Sequence, residues 1–288
     1  MHEIKQKMLD VNNVKIAYTD TGPEDGRVLF CVHGLLSNSR DYDFLALAAA
    51  EKGFRTIAMD LPGRGGSANF ADAALYTPQA YGAFCLALAH HVTHGAPFDW
   101  FGVSLGAMIG MGASITVTEG VNIARLVMVD VGAEISGESL DIVAQLARAP
   151  CEFETMGQAI SVFQNRCAAW GIGDNEEIWT HLYAHNILPK ETGGFRFHYD
   201  PLIAAPMKEK NEDVNLWPVW SHIKQPALLI RGGRSILLPE DVATEMKQRY
   251  TGKQFDEIVF EECGHVPNMM QDEHIQALLG WLMPEYEI

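Results

Sequence analysis

Asp99-Trp100-Phe101-Gly102-Val103-Ser104-Leu105-Gly106 decides the fold of this chain: a short apolar strand runs into a Gly-x-Ser-x-Gly turn, and an apolar, small-residue-rich stretch to about Val117 continues as a helix. Passing from strand to helix within one residue puts Ser104 in a sparsely populated backbone conformation and lifts its hydroxyl above the sheet edge. Gly102 and Gly106 stand two residues either side, where a β-carbon would collide with the neighbouring strand and helix. The Leu105 N–H, in the first helical turn, then faces any anion formed beside Ser104. With 26 glycines in the chain the pentapeptide can arise by chance, so the strand before it and the helix after it carry the weight.

Outward from this turn the chain alternates strand and helix. Lys5 to Leu9 and Val14 to Thr19 read as an antiparallel hairpin turning through Asn12-Asn13. Val28-Leu29-Phe30-Cys31-Val32 is a continuous apolar run of the kind buried on both faces of a parallel sheet, and it ends in His33-Gly34-Leu35. A helix from about Ser39 to Lys52 follows, then the strand Thr56 to Met59, ending at Asp60-Leu61-Pro62-Gly63-Arg64-Gly65-Gly66-Ser67. That last stretch is a tight glycine turn without the lysine of a phosphate loop. Thr77 and Pro78 open an alanine-rich helix to about His94. Past the Ser104 helix, the strand Arg125 to Val129 runs into Asp130-Val131-Gly132.

From Ala133 to about Ile223 the pattern is helical, with no buried-strand run. Alternation resumes with Ala227 to Gly233, a helix from Pro239 to Tyr250, the strand Phe255 to Phe260, Cys263-Gly264-His265 and a final helix from about Gln271 to Leu282. The expected architecture is α/β: a mostly parallel central sheet flanked by helices, built from residues 1–132 and 224–288, with a helical cap, 133–223, inserted between the sixth and seventh strands.

Composition narrows the function classes. The 288 residues are long enough to bury a sizeable core, and 48% hydrophobic with 20% charged residues is the balance of a globular protein. A formal net charge of −16 repels phosphate backbones and anionic lipid surfaces, so neither nucleic acid nor membrane is an expected partner. Cys31, Cys85, Cys151, Cys167 and Cys263 are odd in number and lack Cys-x-x-Cys spacing, which points to reduced structural thiols. Met1 to Asp10 lacks the apolar core of a signal peptide, so a cytoplasmic home is expected. The oligomeric state is left open.

In this order, the His-Gly strand end, Asp-x-Pro-Gly-x-Gly-x-Ser, Gly-x-Ser-x-Gly, a helical insertion and a late Gly-His resemble the α/β-hydrolase fold, and within it the cap-bearing esterases and C–C-bond hydrolases. The resemblance covers Val28 to Leu282. It implies a serine hydrolase acting on an ester, thioester, lactone or related carbonyl bond of a small, largely apolar substrate, without cofactor or metal. It makes Ser104 the nucleophile, and a serine hydroxyl needs a base. His265 is the candidate; His33 competes, but relatives keep that histidine beside the oxyanion loop. The oxyanion of an acyl-transfer intermediate needs two N–H donors, which the resemblance assigns to Leu105 and Leu35.

The acid departs from the pattern. Relatives place an aspartate after the strand that follows the cap, and this chain has Ile236 there. Glu240 and Asp241 fit the first turn of a helix, where the dipole favours acids for structural reasons. Asp130, at the end of the strand after the Ser104 helix, is the expected replacement. If no acid replaces it, the chain is instead a catalytically degenerate binder of a small ligand. His33, Trp170, Trp179 and His185 are candidates to line the pocket, or pack the cap against the core. His181-x-x-x-His185 has metal-pair spacing on a helix, with no evident third ligand.

Overall fold

The computed structural model describes residues 2–267 and 269–283. In chain order the first half holds β1 (Lys5–Val11), β2 (Val14–Thr21), β3 (Arg27–Val32), α1 (Asp43–Glu51), β4 (Phe54–Met59), α2 (Pro78–Thr93), β5 (Pro97–Val103), α3 (Leu105–Ile115) and β6 (Asn122–Val129). Then come β7 (Glu134–Ile135), α4 (Gly137–Arg148), β8 (Glu152–Phe153), α5 (Met156–Cys167), α6 (Glu176–Asn186), β9 (Ile187–Pro189), β10 (Phe195–Phe197), β11 (Val214–Asn215) and α7 (Trp217–Trp220). The chain closes with β12 (Ala227–Gly232), α8 (Glu240–Arg249), β13 (Phe255–Phe260) and α9 (Asp272–Leu282).

The central sheet has eight strands in the order β1-β2-β4-β3-β5-β6-β12-β13. β1 and β2 pair antiparallel and β2 meets β4 antiparallel, while β4, β3, β5, β6, β12 and β13 run parallel. The interior strands are apolar because both faces are covered. Leu45 and Ala49 of α1 pack with Ile275, Leu278 and Leu282 of α9 on one face. Tyr81 and Leu88 of α2, Ala107 and Met111 of α3 and Met246 of α8 pack on the other. At the N-terminal end of the central strands, the fully buried Asp99 of β5 takes Arg27 of β3 at 2.6 Å and Arg125 of β6 at 2.7 Å, an ionic tie across three adjacent strands. No described helix is long and apolar enough to cross a membrane.

Two local departures from the sequence reading have clear causes. Ser39 to Lys52 is not one helix: a 3-10 turn, Ser39–Tyr42, precedes α1, because the Asn38 side chain caps Arg40 N–H and the Asp60 carboxylate takes Ser39 N–H at 2.7 Å. The segment between β6 and β12 is not wholly helical either. It carries a three-stranded sheet β8-β10-β9 and the short pair β11-β7. Gly193 and Gly194, at φ +91° and +79°, close the β9–β10 hairpin, a conformation that residues with a β-carbon resist. Strands of two or three residues are too short to show a period of two.

Candidate active site

In a parallel sheet, the loops at the carboxyl ends of the strands gather on one edge. Here that edge brings together the residues after β3, β5, β6 and β13: His33-Gly34-Leu35, Ser104, Asp130 and His265.

Ser104 sits between β5 and α3 at φ +50°, ψ −110°. Such backbone stores about 1–3 kcal/mol and persists only where its surroundings over-determine it. They do. Ser104 N–H donates to Val129 C=O at 2.8 Å, and the Ser104 carbonyl accepts from Ala107 at 2.9 Å and Met108 at 3.0 Å. A β-carbon on Gly102 would lie 2.4 Å from the Gly106 carbonyl carbon, and one on Gly106 would lie 1.9 Å from the Val32 oxygen. Both glycines are therefore required by close backbone approach.

Asp130 is fully buried and also has positive φ, +56°, with its N–H fixed to Ile230 C=O at 2.8 Å. Its carboxylate accepts from Gly232 N–H at 3.1 Å, from the Ser235 hydroxyl at 2.6 Å and from His265 Nδ1 at 2.5 Å. A buried carboxylate needs such donors, since an unpaired one costs several kcal/mol, on the order of the penalty for a broken buried ion pair. A carboxylate only accepts, so the proton of this bond lies on Nδ1. In the neutral ring Nε2 is then left with a lone pair.

His33 occupies a different place. It is fully buried, its Nε2 accepts from Leu61 N–H at 3.0 Å, and its Nδ1 lies 2.6 Å from the Gly34 carbonyl, to which it therefore donates. Burial pushes its pKa down to about 3, so the ring is neutral at neutral pH. The Gly34 carbonyl and the Leu35 N–H share one peptide plane and point oppositely, so this bond fixes the direction of the Leu35 N–H. A second anchor was not visible in the sequence. Arg64, 1% exposed, donates from Nε to the Leu35 carbonyl at 3.0 Å and from Nη1 to the Pro62 carbonyl at 2.8 Å and to Tyr81. The glycine turn Asp60 to Ser67 thus does more than reverse the chain, since it delivers the cation that holds the loop after β3.

Ser104 and His265 line one cavity of about 260 Å³, together with His33, Leu35 and Ile236. Ile142, Val143 and Leu146 of α4 and Trp170 after α5 form its other side. Of the expected pocket residues, His33 and Trp170 are therefore on its wall, and Trp179 and His185 are not. Trp179 turns aside because its Nε1 donates to Gly173 C=O at 2.9 Å and its ring stacks on Tyr183, 5.8 Å away. His185 borders a separate cleft beside Asp60 and His198, 3.3 Å from Arg40 Nη1. Burial first, and then Arg40, push its pKa down to about 4. His181 and His185 do have a third potential metal ligand nearby, Asp43. That carboxylate, however, is held by Arg40 at 2.8 Å from Nε and 2.5 Å from Nη2, so its charge is already neutralised. Ile236 is half exposed, and Glu240 and Asp241 lie in the first turn of α8. Ser235 is the donor that sequence reasoning passed over; its only signal is a hydroxyl beside the position where relatives keep their acid.

The model of the alpha/beta hydrolase family matches residues 28–278. The chain belongs to this family. Among alpha/beta hydrolase relatives, a 3-hydroxybutyrate-oligomer hydrolase of Cupriavidus necator is 30% identical over 271 residues, covering 91% of this chain and 90% of that protein. An esterase of Mycobacterium tuberculosis is 26% identical over 260 residues, covering 88% of this chain and 80% of the relative. The crystal structure of a Rickettsia typhi protein superposes with a TM-score of 0.85 at 26% identity, covering 99% of this chain and all of that one (100%).

Proposed function

We propose that this alpha/beta hydrolase is a serine hydrolase that cleaves an ester or closely related carbonyl bond of a small, largely apolar substrate through an acyl-enzyme on Ser104. The observation that carries the reading is the 2.5 Å bond between His265 Nδ1 and the buried Asp130, made at the wall of the cavity that Ser104 also lines. With its proton held on Nδ1, His265 offers Nε2 as the base. The Ser104 oxygen attacks the carbonyl carbon while its proton passes to Nε2, and the negative charge collects on the carbonyl oxygen. Leu105 N–H and Leu35 N–H stabilise that oxygen, each by about 3 kcal/mol, the scale of one oxyanion donor. Collapse expels the alcohol, which takes the proton from His265. A water then attacks the acyl-enzyme by the same route, releasing the acid and restoring Ser104.

In this reading Asp130 takes the role of the acid missing at Ile236, and residues 133–223 act as the cap that closes the apolar side of the cavity. The relatives named for an esterase and for an oligomer of a short hydroxy acid favour an oxygen ester as the bond to try first. The test is turnover of p-nitrophenyl esters from acetate to octanoate by the purified chain. Release of nitrophenol that saturates with substrate is expected, fastest for short or medium acyl groups. No release above the buffer rate with any member would reject the reading.

A further inference from the structure

The cavity is apolar over most of its wall, yet two arginines, Arg166 and Arg234, also line it. In a chain with 37 acidic against 21 basic side chains, arginines readily find acids. Arg27, Arg40, Arg55, Arg125, Arg231 and Arg249 do, while Arg64, Arg148 and Arg196, away from the cavity wall, are in no salt bridge among the described residues. Among the described residues, neither cavity arginine is in a salt bridge. Arg166 is nevertheless held firmly: its Nη2 donates to the Tyr199 hydroxyl at 3.0 Å, and its guanidinium carbon lies 4.3 Å from the Phe197 ring centre. Its Nη1 is buried without a hydrogen-bond partner among the described residues. A buried charged donor that lacks an acceptor is a standing cost to the fold, and a planar, pre-oriented guanidinium is the group best suited to a carboxylate.

We propose that Arg166 binds a carboxylate carried by the substrate, so that the preferred substrates are acidic esters, short aliphatic esters with a free carboxylate at one end. This rests on the hydrolase reading above. The apolar wall takes the aliphatic body and Arg166 takes the anionic end. Arg234, exposed on the loop after β12, supplies a local positive potential that draws an anion toward the cavity against the net charge of −16. Asp41, an acid on the same wall, does not cancel the guanidinium. It is not ion-paired with Arg166, accepts from Asn186 Nδ2 at 3.3 Å, and is pushed up by burial to about 7, so its charge is partial at neutral pH.

Two pairs of probes test this: 3-(butanoyloxy)butanoate with its primary amide, and monobutyl adipate with its primary amide. Within each pair only the charge of one end differs. In at least one pair the full chain is expected to prefer the acid in kcat/KM by on the order of 10- to 100-fold, the range of a charge-assisted hydrogen bond. Arg166→Gln should bring that ratio to near one, mainly through KM, and Arg166→Lys should keep part of it. Because the ratio is taken within one preparation, it does not depend on the fraction folded, and a role in packing alone would leave it unmoved. Ratios near one for both pairs in the wild type, or a preference that survives Arg166→Gln, would overturn the proposal. If the wild type cleaves neither ester of either pair, the fault lies with the hydrolase reading. The carboxylate site is then judged by calorimetric titration of the same probes onto Ser104→Ala, where at least tenfold tighter binding of an acid than of its amide upholds it and equal or undetectable binding rejects it.

Discussion

Ser104→Ala is expected to lower ester turnover by about a million-fold, the loss seen when the nucleophile of a comparable triad is removed, while leaving the thermal unfolding midpoint close to that of the wild type. In the proposed mechanism the serine oxygen is where the new bond forms, which no other group on the cavity wall would replace. The fold should survive because the turn is held by backbone: Ser104 N–H to Val129, and Ala107 and Met108 to the Ser104 carbonyl. Alanine at φ +50° keeps the strain that serine already bears. Initial-rate kinetics alongside a melting curve check both halves. A variant that retains more than a thousandth of wild-type turnover would move the nucleophile elsewhere.

Asp130→Asn carries the second large effect, about ten-thousand-fold in kcat, because the loss is one of tautomer as well as of charge. The carboxylate holds the His265 proton on Nδ1 through the 2.5 Å bond. An amide there can turn its NH2 toward Nδ1, which then becomes the acceptor, and the proton moves to Nε2, the atom that receives the Ser104 proton in the proposed mechanism. The amide oxygen, in the Oδ1 position, still accepts from Gly232 N–H, and the Ser235 hydroxyl can turn to accept from the NH2, so unfolding is not expected. Adding Ile236→Asp to this variant should recover part of the activity, since residue 236 follows Ser235 and lines the same cavity as His265. Full activity in Asp130→Asn would show that the acid lies elsewhere. Activity gained by Ile236→Asp alone in an otherwise inert chain would favour the degenerate binder.

What could be read from the sequence, and what could not, follows from the range of the interactions. The parallel strands were legible because burial on both faces leaves an unbroken apolar run, as in Val28 to Val32. The Ser104 turn was legible because only glycine tolerates a backbone oxygen 1.9 Å from its β-carbon position, as at Gly106. Asp130 was legible as a position at a strand end, but the donors around it come from Gly232 and Ser235, more than 100 residues away in the chain. Nothing local announces them. Arg64 was hidden for the same reason: it stands in a glycine turn that explains itself, and its partner is the Leu35 carbonyl of another loop. The sequence left Trp179 and His185 between lining the pocket and packing the cap, because it does not say which face of α6 meets the cavity; neither is on the cavity wall. The short strands β8, β9 and β10 left no periodic trace.

The central claim is that Ser104, activated by His265, is the group that attacks the substrate. A fluorophosphonate that reacts with activated serines tests it most directly, since attack on phosphorus draws on the same nucleophile, base and oxyanion donors as attack on a carbonyl carbon. Intact-mass and peptide mass spectrometry of the native chain should show one adduct, on the peptide that contains Ser104, and His265→Ala should lose it while remaining folded. An adduct on another residue, no adduct on the native chain, or equal labelling rates with and without His265 would contradict the account.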